Sequence, residues 1–414
     1  MAYLSGRLPT LQLATAAVAG FADALNRYRA ATGRAELPPV LVPECIAASF
    51  ASDRLMRIDG APISGFAELS GFFATTDGWL RTHANYPHHR QRLLAVVGLD
   101  AADRAAFAAR VATLSAAEVE DRAAAAGAIA VRVRTETEWA AHPAGIAAAS
   151  GPLLTTTVRS DKTVRGSAVG TVERPLAGLR VLDLTRVIAG PIATRALALA
   201  GAEVLRVDPP QLPEISWQHT DTGQGKRSTL LDLRDGSAAR RCHELLASAD
   251  VLISGYRPGA LERFGIRPER GVVWGRVDAW GDTGPWAQRR GFDSIVQAAS
   301  GIALIENADP PGALPAQALD HSTGYLLAAA VVDALTAKLA DGFGRDVHAA
   351  LARTAAALLA MPGRVENSAP ATLPGAGSVV AHGGIVTARP ALANYADYPF
   401  PARPWGADSP AWRE

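Results

Sequence analysis

The sequence predicts an α/β protein: a Rossmann-like parallel sheet with helices on both faces, preceded in the chain by a smaller α+β domain. Two observations support this fold class. Beyond Pro175, short apolar strand patterns alternate with helical patterns, an order that is typical of parallel sheets. Before residue 150, helical patterns instead surround one hairpin pattern in residues 64–82, which turns at Asp77-Gly78.

Changes in composition divide the chain into four predicted parts. Residues 1–150 form the N-terminal small domain, and residues 151–174 read as a linker because they are rich in Gly, Ser, Thr and charge without a sustained period. Residues 175–365 form the Rossmann-like domain. Residues 366–414, rich in Pro, Gly and Ala, are predicted to be an extended C-terminal tail.

The individual elements follow from hydrophobic periodicity. The N-terminal helical patterns cover residues 11–32, 45–56 and 87–126. The strand patterns of the second half cover residues 179–187, 202–208, 229–233, 250–256 and 272–280, with helical patterns at 190–199, 237–249 and 259–266. In sheets of this kind ligands bind at the carboxyl ends of the strands.

Three basic clusters stand beside these strands: residues 224–228, residues 255–260 with Arg263, and residues 289–293. Arginine binds phosphate through two parallel charge-assisted hydrogen bonds. One such cluster is more typical of a solvated surface, but three on one predicted sheet edge favour an elongated polyphosphate ligand. Neither a GxGxxG fingerprint nor a P-loop is present, since Lys226 is followed by Arg.

Asp320 lies at a loop-to-helix junction, in the segment 319–325 before an apolar run. Aspartate at such a position is commonly a helix cap, because its side chain accepts hydrogen bonds from free N–H groups. It can also be a nucleophile beside a ligand-binding edge. The residues alone leave both interpretations open.

Bulk properties limit the partners. A net charge of +1 provides no general attraction to nucleic acid or anionic membrane. Two distant cysteines argue against a disulfide framework or a zinc site and favour a reducing cytoplasm. We expect no secretory leader, because the N-terminal apolar stretch is Ala-rich, and no transmembrane helix. His88-His89 is expected to be helix surface rather than a metal pair, since adjacent helical residues do not face each other.

Four ordered motifs carry a resemblance to a known family. They are PLAGLRVLDLTRVIAGPIATRALALAGAEVLRVDPP, GKRSTLLDLRDG, ADVLISGYRPGALERFGI and GDTGPWAQRRGFDSIVQAASG. From residue 175 to about residue 360, the chain resembles the family III CoA-transferases. The resemblance implies that Asp320 is the catalytic nucleophile and that acyl-CoA and a carboxylic acid are the substrates, with no metal.

The same match implies a set of CoA-binding residues and a quaternary structure. The CoA-binding residues would be Ile188, Ala189, Lys226, Tyr256, Arg257, Arg263, Arg290, Phe292 and Asp293. Members of the family are interlaced homodimers, in which the small domain of one chain covers the active site of the other. A homodimer is therefore expected here.

The chain departs from the family pattern at several points. Pro209 and Gly255 stand where the family usually has a basic residue and Asn. Residues 60–150 resemble the small domain that normally follows the catalytic Asp. An internal echo of residues 333–345 in residues 23–34 places Thr10 at the position of Asp320. We interpret residues 1–150 as a degenerate half copy, which gives a rearranged domain order.

Two alternatives stay open. An α-methylacyl-CoA racemase shares the fold and the Asp position, but it needs a His where this chain has Phe292, and Phe cannot transfer a proton. Because His321 stands beside Asp320, the racemase alternative stays open. The second is a catalytically degenerate subunit that binds acyl-CoA without turnover, which the rearranged order motivates.

Overall fold

The computed structural model describes residues 1–163 and 170–413. The helices of the N-terminal part are α1 (Thr10–Ala31), α2 (Pro43–Phe50), α3 (Ser52–Leu55), α4 (Pro87–Val97), α5 (Arg104–Val111), α6 (Ala116–Ala126), α7 (Glu136–Ala141) and α8 (Pro143–Ala149). Its strands are β1 (Arg57–Ile58), β2 (Ala61–Pro62), β3 (Gly71–Thr75), β4 (Gly78–Thr82), β5 (Ala130–Arg132) and β6 (Leu154–Lys162).

Beyond residue 170, strands and helices alternate as predicted. The strands are β7 (Arg180–Leu184), β8 (Glu203–Asp208), β9 (Arg227–Leu230), β10 (Val251–Ser254), β11 (Val273–Asp278), β12 (Phe343–Ala350), β13 (Val379–His382) and β14 (Ile385–Ala388). The helices are α9 (Ala189–Leu199), α10 (Ser216–Thr222), α11 (Gly236–Ala247), α12 (Asp293–Ala299), α13 (Ile302–Glu306), α14 (Ala318–Asp341) and α15 (Leu351–Ala360).

A mostly parallel sheet of seven strands, in the order β6-β12-β11-β10-β7-β8-β9, forms the centre of the second half. Strands β7 to β12 are parallel to one another, and β6 is antiparallel to β12 at one edge. This confirms the predicted α/β fold class. Helix α9 follows β7 directly, so its N-terminus lies at the carboxyl edge of the sheet.

The linker prediction is wrong for residues 154–162, which are strand β6. An edge strand keeps one side in solvent, so its sequence LTTTVRSDK can be polar while its β-branched residues still suit a strand. Residues 164–169 of the predicted linker lie outside the described part of the chain. The predicted helix at 259–266 is also reduced to one short helical turn, Glu262–Phe264.

The hydrophobic core does not divide at residue 150. Phe21 and Leu25 of α1 share one core with Val331 and Leu335 of α14, and an ion pair of 2.8 Å joins Arg27 to Asp333 on the surface of the two helices. A separate core is confined to residues 69–130, where the hairpin β3-β4 packs on α4, α5 and α6. The independent small unit is therefore shorter than predicted. The half-copy origin of residues 1–150 stays a prediction.

The C-terminal segment is more structured than the extended tail that composition predicts. Strands β13 and β14 form a hairpin, and β14 pairs with β1 in a four-stranded antiparallel sheet of order β13-β14-β1-β2. Further on, the Trp412 indole donates to the carbonyl of Leu245 at 3.1 Å. The C-terminal segment thus contacts the N-terminal part of the chain through β1, and it contacts helix α11 of the second half through Trp412.

By its length and composition, helix α14 could cross a membrane. It is the one helix among the described residues with this property. Within its most apolar window, 61% is buried inside the protein. It packs between α1 and α9, as the core helix of a globular fold does.

Candidate active site

A cleft of about 390 Å³ opens at the carboxyl edge of the central sheet. Its walls come from the segments that follow β7, β10 and β11, and from the N-terminal part of the chain. Its lining includes Tyr86, His88, His89, Arg186, Ile188, Ala189, Tyr256, Arg257, Arg263, Arg289, Arg290, Phe292 and Asp320. The structure therefore brings eight sequence-predicted site residues into one cleft: Ile188, Ala189, Tyr256, Arg257, Arg263, Arg290, Phe292 and Asp320.

A strained turn places the backbone of α9 against this cleft. Val187 has φ +69°, a left-handed conformation that costs free energy for a β-branched residue. The turn is held because the N–H of Val187 donates to Glu214 Oε2 at 3.0 Å. Burial alone would raise the pKa of Glu214, but Arg206 and Arg186 hold it at about 2. The charged Glu214 carboxylate thus fixes the turn at Val187, directly before α9 begins.

Asp320 is the third residue of α14 and is only 6% exposed. Its carboxylate accepts a hydrogen bond from the N–H of Ala189, the first residue of α9. Burial, followed by the charge of Asp293, raises the pKa of Asp320 well above its usual range, and the Ala189 N–H opposes this shift. The two acids and the start of α9 therefore act as one electrostatic unit.

Asp293 does not line the cleft, although the sequence resemblance implies a CoA contact. It is 0% exposed. Its Oδ2 accepts the backbone N–H of Asp320 at 2.9 Å, and its carboxylate also accepts from Leu319 and Gln297. Burial raises its pKa to about 6, and these donors oppose the rise. The side chain of this first residue of α12 points beneath the cleft, so its implied contact with CoA stays a prediction.

The same contacts correct the interpretation of Asp320 as a helix cap. The N-cap residue of α14 is Gln317, and its side chain makes no capping bond. Asp293, from a neighbouring helix, accepts the free N–H groups of the first turn instead. The carboxylate of Asp320 is thus available to face the cleft.

Lys226 also lies outside the cleft. It is 2% exposed, and its Nζ donates to Asp183 Oδ2 at 3.0 Å, Thr194 Oγ1 at 2.9 Å and Pro191 O at 3.2 Å. Lys226 directly precedes β9 (Arg227–Leu230), and the amino end of a parallel strand lies away from the ligand-binding edge. Lys226 therefore holds α9 on the sheet rather than contacting a ligand in the cleft.

Several arginines of the cleft have no anionic partner. Within residues 1–163 and 170–413, no ion pair involves Arg257, Arg263 or Arg290 of the cleft, and none involves Arg92, which lies outside the cleft lining. The pKa of Arg290 is lowered by burial and then by the charges of Arg257 and Arg92. By contrast, Arg289 lies 3.6 Å from Glu120. An unpaired group of cations at one end of a cleft favours an anionic ligand.

Sequence reasoning missed the contribution of the N-terminal part. Tyr86, His88 and His89 line the cleft within the same chain. His89 is buried, and burial followed by the charge of His88 lowers its pKa to about 3, so the expectation of a solvated histidine pair is wrong for His89. No local sequence pattern predicts these contacts, because they join segments that are far apart in the chain.

A second, smaller cavity of about 30 Å³ lies on the other side of Asp320. Val187, Ile188, Phe292 and Asp320 line both cavities. The ring of Phe292 stacks on His83, with centroids 3.8 Å apart and planes inclined by 11°. The Asp320 carboxyl group thus stands between the cationic cleft and the small cavity.

Comparison with known proteins agrees with this geometry. Residues 176–378 match the family described as CoA-transferase family III. Over this segment, about half of the chain, the sequence is similar to CoA-transferase family III. The sequence prediction of the family is confirmed for this part of the chain.

The family III segment is similar to several curated proteins. Over 193 residues it is 36% identical to the acetyl-coenzyme A transferase nodX of Hypoxylon pulicicidum, covering 42% of this chain and 32% of that protein. Over 208 residues it is 31% identical to the probable fatty acyl-CoA transferase Rv3272 of Mycobacterium tuberculosis, covering 45% and 53%. Over 194 residues it is 32% identical to the succinyl-CoA:glutarate CoA-transferase of Homo sapiens, covering 41% and 44%.

A crystal structure of Rv3272 matches with a TM-score of 0.42 and 33% identity, covering 45% of this chain and 56% of that one. The chain spans about half the length, or less, of the curated relatives that the family III segment matches.

Proposed function

We propose that this chain moves CoA from an acyl-CoA donor to a carboxylic acid, with Asp320 as the covalent nucleophile. The observation that carries the proposal is the position of Asp320. Its carboxyl group stands where the cationic cleft meets the small cavity, so a thioester that spans the two would place its carbonyl carbon beside it. The similarity of residues 176–378 to the family supports the same reaction class.

The cleft has the chemistry that CoA requires. Arg257, Arg263 and Arg290 would bind its phosphates, because each lacks an ion pair in the described chain and guanidinium groups bind phosphate in two-point geometry. The pantetheine arm would run past Ile188 and Tyr256 toward Asp320. Since the net charge of the protein is only +1, attraction of CoA depends on this local group.

The proposed reaction is a sequence of acyl transfers that balances without an added proton. A carboxylate oxygen of Asp320 attacks the donor carbonyl carbon, and the carbon–sulfur bond breaks to give an anhydride and CoA thiolate. The thiolate attacks the aspartyl carbonyl carbon and releases the donor acid, which leaves an aspartyl-CoA thioester. The acceptor carboxylate displaces the thiolate, which then attacks the acceptor carbonyl carbon and restores free Asp320.

Two features of the site support this sequence. The N–H of Ala189 already donates to the Asp320 carboxylate, so it can stabilise the negative oxygen that forms when the aspartyl carbonyl carbon becomes tetrahedral. The raised pKa of Asp320 also makes its oxygen more nucleophilic once ionised than an ordinary carboxylate. Asp293 acts as a positioning residue, because it holds the backbone N–H of Asp320.

Trapping of the aspartyl thioester tests the proposal. The full chain is incubated with acetyl-, butyryl- and succinyl-CoA in the presence of hydroxylamine, and the peptide containing residue 320 is examined by mass spectrometry. We expect a hydroxamate at Asp320 with at least one donor. Asp320→Asn should bind CoA without forming it, and Asp333→Asn, an exposed acid of the same helix, should behave as the parent. A protein that binds CoA but forms no adduct with any donor would overturn the nucleophile role.

One observation favours the racemase alternative. His83 and His321, both buried, line the small cavity together with Asp320, so a candidate for the second proton carrier is present although Phe292 cannot serve. A racemase would exchange the α-proton of a 2-methylacyl-CoA with deuterium oxide in the absence of an acceptor acid. We expect no exchange above that of the Asp320→Asn variant.

A subunit that binds acyl-CoA without turnover is the remaining alternative, motivated by the predicted rearranged order of the chain and by Pro209 and Gly255, which depart from the family pattern. We also propose a homodimer in the cytoplasm. In this chain Tyr86, His88 and His89 cover the cleft in cis, and the two cysteines are free. Light scattering of the purified chain should give twice the monomer mass, and cell fractionation should place it in the cytoplasmic fraction.

A further inference from the structure

The small cavity beside Asp320 is built from both halves of the chain. Residues of the N-terminal part, among them Ser52, Asp53 and His83, face residues of α10 and α14, among them Asp221 and His321. The cavity shares Phe292 and Asp320 with the cleft, so a group attached to the CoA sulfur would enter it from the Asp320 end.

Several buried polar atoms on this wall have no hydrogen-bond partner in the described chain. They are His83 Nδ1, Gln218 Oε1, Asp221 Oδ1 and His321 Nδ1. Each belongs to a side chain that is at least nine-tenths buried. Buried polar atoms without partners are costly. Since Asp221 Oδ1 lies 3.6 Å from Arg195 Nη1, it is the other three atoms around the cavity that indicate a polar ligand.

The charge of the wall restricts that ligand. Asp53, Asp221 and Asp320 line the cavity, and neither Arg nor Lys does so among the described residues. Two buried cations stand behind the wall: Arg81 lies over the ring of Phe66, and Arg195 is engaged by Asp221, since its Nη1 donates to the Asp221 carbonyl at 2.8 Å and lies 3.6 Å from the Asp221 side chain. A second carboxylate in the cavity would therefore face three acidic side chains, with no Arg or Lys among the described residues of the lining.

The size of the cavity restricts the ligand further. About 30 Å³ admits roughly two water-sized groups, since one such group needs about 10–15 Å³. A chain of two or three carbons beyond the thioester carbonyl would fill it. Phe50 and Phe66 add apolar surface, while the histidines and Gln218 offer both donors and acceptors.

We infer that this cavity is the acyl subsite and that it selects a short acyl group ending in a neutral hydrogen-bonding group, such as a hydroxyl, and rejects one that ends in a second carboxylate. The inference rests on the proposed function only in that CoA must occupy the cleft. Asp53, His83 and Asp221 are the specificity-determining residues.

Binding of matched thioesters tests the inference separately from turnover. 3-Hydroxypropionyl-CoA and malonyl-CoA have acyl chains of equal length that end in a hydroxyl and a carboxylate. Isothermal titration into the full-length Asp320→Asn protein avoids acyl transfer. We expect 3-hydroxypropionyl-CoA to bind about tenfold or more tightly than malonyl-CoA. Equal affinity, or tighter binding of malonyl-CoA, overturns the inference.

Variants identify the residues responsible. Adding Asp53→Asn or Asp221→Asn to the Asp320→Asn protein removes one acidic group from the cavity wall. Each should reduce the ratio of 3-hydroxypropionyl-CoA affinity to malonyl-CoA affinity by about threefold or more. Asp23→Asn, an exposed acid of α1, should leave the ratio unchanged. A ratio that neither pocket variant changes overturns the assigned determinants. If CoA itself does not bind, the proposed function and the inference both fail, whereas a preserved ratio without any hydroxamate at Asp320 contradicts the nucleophile role alone.

Discussion

The backbone N–H of Asp320 donates to the buried carboxylate of Asp293 at 2.9 Å. One acid thus fixes the main chain of the other, and its charge raises the pKa of the side chain that faces the cleft. Asp293 can set both the position and the ionisation of Asp320 without touching a substrate.

The substitution Asp293→Asn should shift the pH dependence of the reaction. Because the raised pKa of Asp320 must be exceeded before its carboxylate can attack, activity is expected to rise with pH. The amide side chain removes the like charge while keeping an acceptor, so the rising limb should move about one unit toward lower pH. The rate of hydroxamate formation against pH measures this shift, and an unmoved limb would contradict the coupling.

The same pair should make folding sensitive to pH. The pKa of Asp293 is about 6 in the folded protein, above the value of about 3.9 for an unfolded Asp. The folded state therefore binds the proton more tightly, and this stabilisation is lost as pH rises from about 4 through about 6. Urea unfolding should show a decrease on the order of 2 kcal/mol across this window, and a smaller one for Asp293→Asn. An identical decrease in both proteins would rule out the pair as its source.

The unpaired arginines should dominate CoA binding. Arg257→Gln and Arg290→Gln are each expected to weaken CoA about tenfold or more, since a hydrogen bond to a charged group contributes about 1.5–3 kcal/mol. Isothermal titration at two salt concentrations should also show that the CoA affinity of each variant depends less on salt than that of the parent protein. Arg234→Gln, whose partner Asp232 lies on the surface, is the matched control and should bind CoA as the parent does.

Lys226 should affect stability rather than ligand binding. Lys226→Met leaves the buried Asp183 carboxylate without its cation, which costs about 3–5 kcal/mol of unfolding free energy. Adding Asp183→Asn should recover part of this loss, because both charges are then absent and the amide oxygen can still accept from Thr185 or Thr194. Thermal unfolding gives the stability, and titration of the folded fraction should give an unchanged CoA affinity. Loss of CoA binding by the fully folded double variant would restore a direct role for Lys226.

The sequence predicts the central sheet well because strand and helix periods are local properties. The sequence also predicts that Arg257, Arg263 and Asp320 lie at the carboxyl edge of the central sheet, since they follow a strand or stand near the start of a helix. It does not predict that Asp293 and Lys226 lie outside the cleft lining, because proximity along the chain does not determine which side of an element a side chain takes.

His83 and His89 escape prediction for another reason. Their places in the small cavity and the cleft depend on the packing of the N-terminal part against the second half. Strand β6 escapes because an edge position tolerates a polar sequence. Long-range packing and edge exposure leave no periodic signal in the residues themselves.

The four-stranded sheet joins β1, near the start of the chain, to β14, near its end. During synthesis β1 can pair with β2, but its other edge remains open until β14 has emerged, and pairing over so long a separation is slow. An incomplete nascent chain exposes that edge to association with other chains. The protein is consequently expected to need chaperone protection in the cell, and separately expressed halves should become well folded only when they are mixed.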